Sequence, residues 1–250
     1  LPEELKLLSK KGIDAIYAVD LPEAKNNFEL AAQKYPDHPY PHFGIAMTKW
    51  AELEYLEDES DPKLAEEYGA LTDKAIAIAK AWLDKHPADA NAYMCLGGMY
   101  GLRARLAVMQ HRWFRAYFDG KKAIANTRKS LKVDPEMYDS YLGLGMYEYY
   151  AGTLPGVIKI LAKLVMSGDA AKGVEYIKLC KEKGYFNSTA AELLLIEIYT
   201  DTGSRFRDTK TAVKWSAELR KTYPQHPQMH FVQIVSLFED GQYEEARKEA

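Results

Sequence analysis

The chain has 250 residues, 47% hydrophobic and 28% charged, and a formal net charge of −3. That balance supports a sizeable core in an ordinary soluble protein and gives no global attraction for nucleic acid or anionic lipid. No run reaches the roughly 18 to 20 apolar residues of a membrane span, and Cys95 and Cys180, each within a helical pattern, read as buried free thiols rather than a disulfide.

In chain order, residues 5–19 read as a first helix, and Leu21-Pro22-Glu23 opens a second with proline in its first turn. This second helix carries Ala24, Phe28 and Ala31 and is closed by Pro36. His38 and His42 stand four apart, a spacing open to a metal, but Pro39 and Pro41 put the first outside regular helix and no third ligand is near in sequence. Solvated or packing histidines are the preferred reading. Between Trp50 and Gly69 comes an acidic stretch, with Glu52, Glu54, Glu57, Asp58, Glu59, Asp61, Glu66 and Glu67 around a break at Asp61-Pro62. It lacks the glycine turn of a calcium loop and reads as a solvated helix extension.

After Pro87, Ala92, Tyr93, Leu96, Gly97 and Tyr100 set up a spacing that returns after Pro135 as Ser140, Tyr141, Leu144 and Gly145. The tyrosine, leucine and glycine fall at i, i+3 and i+4 on one helix face, where the glycine admits a neighbouring helix closely. Between the two lies GLRARLAVMQHRWFRAYFDGKK, in which Arg103, Arg105, Arg112, Arg115, Lys121 and Lys122 alternate with Trp113, Phe114, Tyr117 and Phe118. Rings that stack on bases and arginines that contact phosphates make nucleic-acid surfaces. Here the total charge is negative, helical spacing would bury many of the rings, and an acidic stretch lies one repeat earlier, so intramolecular charge pairing is expected. Residues 153–168, TLPGVIKILAKLVMSG, are the most apolar stretch; with only Lys159 and Lys163 as cations, they predict a helix packed internally. Thr189-Ala190-Ala191-Glu192 fits a capping box, and Asp201-Thr202-Gly203 reads as a turn between paired helices rather than a protease tripeptide.

The recurring unit resembles the tetratricopeptide repeat (TPR). Its first half is carried by Tyr93, Leu96 and Gly97 and by Tyr141, Leu144 and Gly145. Its second half is carried by Ala24, Phe28, Ala31 and Pro36, and near the end by Gly241, Tyr243 and Ala246. The resemblance implies an all-α, right-handed superhelix (solenoid) of antiparallel helical hairpins over 5–38, 39–89, 90–137, 138–186, 187–226 and, in part, 227–250, in a single domain. Pro36 and Pro87 lie 51 residues apart, against about 34 in a plain repeat, which implies an insert.

In such proteins the first helix of each hairpin lines a concave face. Transferred to this chain, the groove-facing positions are Tyr40, Phe43, Met47 and Trp50; Asn91, Met94 and Gly98; Asp139, Leu142, Met146, Tyr149 and Tyr150; Leu193 and Glu197; and Phe231 and Phe238. The set is rich in aromatics and methionine and nearly free of lysine and arginine, so a basic clamp for a peptide carboxylate is not expected. A non-catalytic scaffold that binds a protein or peptide through Tyr40, Phe43, Met47, Trp50, Met94, Leu142, Met146, Tyr149 and Tyr150 is the leading expectation. Arg103, Arg105, Arg112 and Arg115 form the alternative basic surface. No cofactor, metal, nucleic acid or transmembrane span is expected, and the phosphate-loop, serine-hydrolase, zinc-protease and CxxC signatures are missing from the sequence. Two other classes are a small-molecule or lipid-binding protein whose inserts close an apolar pocket, and a subunit of a homo- or hetero-oligomer stacked through its repeat ends. The chain starts at Leu1 rather than methionine, and many bacterial proteins that resemble it carry a signal or lipoprotein leader. A bacterial cell envelope or periplasm is therefore expected ahead of the cytoplasm.

Overall fold

The computed structural model describes residues 1–55, 62–153 and 168–250. Among them are twelve helices and no strand: α1 Glu3–Tyr17, α2 Leu21–Lys34, α3 Pro39–Tyr55, α4 Pro62–Lys85, α5 Ala90–Met109, α6 Trp113–Val133, α7 Ser140–Thr153, α8 Ala170–Lys183, α9 Ser188–Thr200, α10 Thr209–Thr222, α11 Pro227–Glu239 and α12 Tyr243–Glu249. The apolar stretch at 154–167, expected as an internal helix, lies outside the described residues. Packing divides the chain into two compact units, 1–16 with 20–144 and 17–19 with 145–250, where repeat spacing alone suggests one array.

In the first unit the core is organised by one ring. Ala24, Phe28 and Ala31 on α2 are fully buried, and Phe28 fills the room left by glycines on both neighbouring helices. A Cβ built on Gly12 of α1 would lie 2.6 Å from the ring, and one on Gly44 of α3 would lie 2.1 Å from it. The α5–α6 pair closes the same way, since a Cβ on Gly97 would meet Thr127 Oγ1 at 2.9 Å and the Ala123 carbonyl oxygen at 3.2 Å. Ser130 Oγ then donates to the Ala90 carbonyl and lies 2.8 Å from Ser140 Oγ, tying α5, α6 and the start of α7 together. The described part of the acidic insert is helix. It lengthens α3 to 17 residues and α4 to 24, and the extensions pack on α5 through a cluster of Trp50, Leu53, Ala65, Tyr68 and Leu106. Lys49 joins the two extensions, with Glu52 at 3.0 Å and Glu67 at 2.8 Å.

In the second unit α7 and α8 meet backbone to backbone. A Cβ on Gly145 would lie 2.6 Å from Ile177 Cγ1 and 2.9 Å from the Gly173 carbonyl oxygen, and one on Gly173 would lie 2.8 Å from the Gly145 carbonyl oxygen. Val174, Ile177 and Cys180 of α8 are buried, as are Leu195 and Ile196 of α9 and Met229 and Val232 of α11. Both cysteines are free and buried, each in its own unit, and desolvation holds the Cys95 thiol well above its ordinary pKa.

The helix ends repeat two devices. The turns after α1, α5 and α11 each place one residue at positive φ, namely Val19 (60°), His111 (56°) and Gly241 (81°). The amide of the following residue bonds back five positions, Asp20 to Ala15, Arg112 to Ala107 and Gln242 to Leu237, at 2.8–2.9 Å. That is the left-handed helix stop which glycine adopts freely and a β-branched valine only under strain. The second device is a cap. Asp20, Asp89, Asp169 and Asp208 cap their helices in the usual manner, but α3 and α11 are capped by histidine. Tyr35-Pro36-Asp37-His38-Pro39 and Tyr223-Pro224-Gln225-His226-Pro227 share the pattern Tyr-Pro-x-His-Pro, and they fold alike. Each histidine amide bonds the tyrosine carbonyl at 3.1 Å. Its Nδ1 accepts from the amide two residues on, Tyr40 at 3.1 Å and Gln228 at 3.2 Å. The expected capping box at Thr189 is not formed. The N-cap of α9 is Asn187, without a side-chain cap bond, and Glu192 reaches Lys181 on α8 at 3.5 Å instead.

Candidate binding surfaces

The structure distributes the sequence-derived groove positions unevenly. In the first unit Tyr40, Phe43, Trp50 and Met94 are buried. Phe43 rests on Gly98 of α5, where a Cβ would stand 2.7 Å from its ring, so these two groove positions cover each other. Tyr40 packs edge-on against Phe43 at 6.4 Å between centroids. Trp50 sits in the α3–α4–α5 cluster, donates Nε1–H to Glu54 at 2.9 Å, and is covered by the Arg105 guanidinium 4.6 Å from its ring. Met47 and Leu142 are half-buried. In the second unit Tyr149 is buried, while Met146 and Tyr150 are 40% and 49% exposed. Of the later positions, Leu193 is buried and Phe231 and Phe238 are exposed, the latter packed edge-on against Tyr243 at 5.3 Å.

The four arginines of the alternative surface separate in the same way. Arg103 forms a two-pronged bond to Asp119, Nε to Oδ2 at 2.8 Å and Nη2 to Oδ1 at 2.7 Å, and also reaches Asp73 of α4. These carboxylates hold its pKa above the ordinary arginine value. Arg105 pairs with Glu54 at 2.6 Å, joining α5 to the acidic insert. Arg115 lies 3.8 Å from Asp119 and 3.9 Å from Asp73, and Arg112 is exposed. The rings beside them are not buried as helical spacing suggested: Trp113, Phe114 and Phe118 are 61%, 85% and 57% exposed. Because Asp119 is buried, Arg103→Met should cost about 2 kcal/mol by leaving a carboxylate with only the more distant Arg115. Adding Asp119→Asn should recover part of the loss, and a urea midpoint equal to wild type in the single variant would contradict the assignment.

The second unit holds a cleft of about 680 Å³ lined by Tyr149, Tyr150, Gly152 and Thr153 of α7, Gly168, Asp169 and Ala170 at the start of α8, and Asp201 and Gly203 to Phe206 after α9. Tyr149 meets Tyr150 edge-on at 5.3 Å and lies 6.3 Å from the Phe206 ring, and the Arg205 guanidinium stands 4.8 Å from Phe206. The lining combines the rings of Tyr149, Tyr150 and Phe206 with the charged side chains of Asp169, Asp201 and Arg205. Asp201 Oδ1 accepts from the Gly203 amide at 2.8 Å, so the Asp-Thr-Gly tripeptide forms a side-chain-bonded turn beside the cleft. Among the described residues no group of three or more histidine, cysteine, aspartate or glutamate side chains could hold a metal, and no helix is long and apolar enough to cross a membrane.

Paired helices throughout, small residues at the crossings and no strand among the described residues define an all-α helical-repeat protein. Within that class the fold is TPR-like: over 97% of its length the chain is similar to a thermophilic TPR protein of Thermus thermophilus whose crystal structure is known. The alignment covers 98% of that chain at 17% identity with a TM-score of 0.50. No protein-family model and no curated protein matches the sequence.

Proposed function

We propose that the chain is a non-catalytic TPR-like scaffold that takes up a segment of a protein partner in the cleft of its second unit. The carrying observation is Tyr150, a large aromatic half exposed in a cleft that it lines together with Tyr149 and Phe206. Met146, one turn earlier on the same face of α7, extends the apolar track, and Asp169, Asp201 and Arg205 offer polar partners to a peptide backbone or side chain. That mixed lining suits a peptide better than a lipid chain, which would want an apolar wall throughout.

The test is to place a photo-crosslinking residue at 150 and, as a control, at exposed position 182 of α8. A protein adduct formed at 150 and not at 182 supports the cleft. Tyr150→Ala should then weaken capture of that partner by about thirtyfold, or ~2 kcal/mol, as expected for an aromatic anchor, with no change in thermal stability. Equal adducts at both positions, or unchanged affinity in the variant, would count against the cleft. Trp50→Ala and Tyr149→Ala are unsuitable because both side chains are buried and their truncation opens cavities.

A further inference from the structure

We propose that the end of the α5–α6 hairpin docks on an anionic lipid surface, with Trp113, Phe114 and Phe118 entering the interface and Lys121 and Lys122 meeting lipid phosphates. This surface lies in the first unit and is independent of the cleft. The net charge of the whole chain is negative, so any attraction to an anionic layer must be local. The hairpin end supplies it. Arg112, Lys121 and Lys122 are exposed, while the acid of this segment, Asp119, is buried and neutralised by Arg103.

The spacing matches an interface. Residues 113 to 118 span about 7.5 Å of helix axis, within the ~5–10 Å depth to which interfacial elements settle at the headgroup–acyl boundary. Lys121 and Lys122 follow one turn farther along, at the level where snorkelling ammonium groups meet phosphates. Val108, on the α5 side of the turn, is also exposed. A protein partner is the poorer fit. Phe114 is 85% exposed at a hairpin end rather than set in a cavity, so a partner would have to bring its own pocket for each ring, whereas a fluid acyl layer closes around them.

Flotation with phosphatidylcholine vesicles, with and without phosphatidylglycerol, tests this on the intact chain. The protein should float with the mixed vesicles at low salt, be released by added salt, and stay behind with phosphatidylcholine alone. Trp113 is exposed while Trp50 is buried and Trp82 and Trp215 are half-buried, so a blue shift of tryptophan emission on binding should vanish in Trp113→Phe. Phe114→Ser should lower vesicle partitioning about tenfold, and Lys121→Glu with Lys122→Glu should abolish it. Tyr150→Ala should leave it unchanged, which separates this surface from the cleft. These side chains are exposed, and unchanged helical content and melting would verify that the variants fold. Failure to float at low salt would overturn the proposal, as would flotation indifferent to Phe114→Ser. So would binding of a single-stranded oligonucleotide that depends on the same residues without any vesicle binding.

Discussion

Gly145→Leu should remove upwards of about 3 kcal/mol of stability, enough to lower the melting temperature of the second unit by more than ~10 °C. Ordinary overpacking costs less because flexible side chains move aside. Here the obstacles are main-chain atoms, with the Gly173 carbonyl oxygen 2.9 Å and the Ile177 amide nitrogen 3.1 Å from the position of the new Cβ, before the rest of the leucine is placed. Relief requires α8 to retreat from α7, which would also open the reciprocal contact of Gly173 on α7. Gly101 and Gly120 are the controls. Nothing lies within 4 Å of a Cβ at either position, and both are helical, so alanine there should stabilise by about 0.5–1 kcal/mol. Urea unfolding of the three variants decides the matter, and a wild-type midpoint for Gly145→Leu would refute the close crossing.

Acid should destabilise the protein well before its carboxylates titrate. Burial lowers the pKa of His38 and His226 from 6.5 to about 4, and it moves His42 in the same direction. A base with a depressed folded pKa stays neutral in the native state while the unfolded chain takes up its proton. Its stabilisation is complete above pH 6.5, declines as pH falls through the window from 6.5 to 4, and changes no further below it. The full loss approaches ~3 kcal/mol for each of the two capping histidines. Chemistry gives the same sign, because Nδ1 accepts the cap amide and a protonated ring has no lone pair to offer. Replacing both by asparagine, which keeps an acceptor and cannot titrate, should flatten the dependence of the urea midpoint on pH between 6.5 and 4. An unchanged slope would mean that other groups carry it.

What was legible in the sequence follows from how local each feature is. Ala24, Ala31, Gly97 and Gly145, and the large Phe28 among them, could be assigned because close helix crossing demands small residues and a filling ring at fixed spacing, and periodicity encodes that demand directly. The pairing of Arg105 with Glu54 could be expected because inserts of opposite charge sit in consecutive repeats. Groove-facing positions were harder, since whether Trp50 faces a partner or Tyr68 depends on the extra turns of α3 and α4, whose packing no local pattern states. The exposure of Trp113, Phe114 and Phe118 escaped for the same reason. The histidine caps did have a signal, the twice-used Tyr-Pro-x-His-Pro pattern, but it is hidden when histidine is weighed only as a ligand or a solvated base. Val19 and His111 adopt a left-handed backbone without being glycine, which their sequence context does not signal.

The ring of Phe28 links α1 and α3 through α2, since its Cε2–Cζ–Cδ2 side lies against Gly12 of one neighbour and its Cδ1–Cε1–Cγ side against Gly44 of the other. Helix α1 cannot swing away from α2 without baring one side of a ring whose other side still holds α3, so its opening loosens the contact between α2 and α3 as well. Slow amide exchange in α1 should therefore keep pace with that in α3, and the first two helical pairs should open as one cooperative segment instead of two.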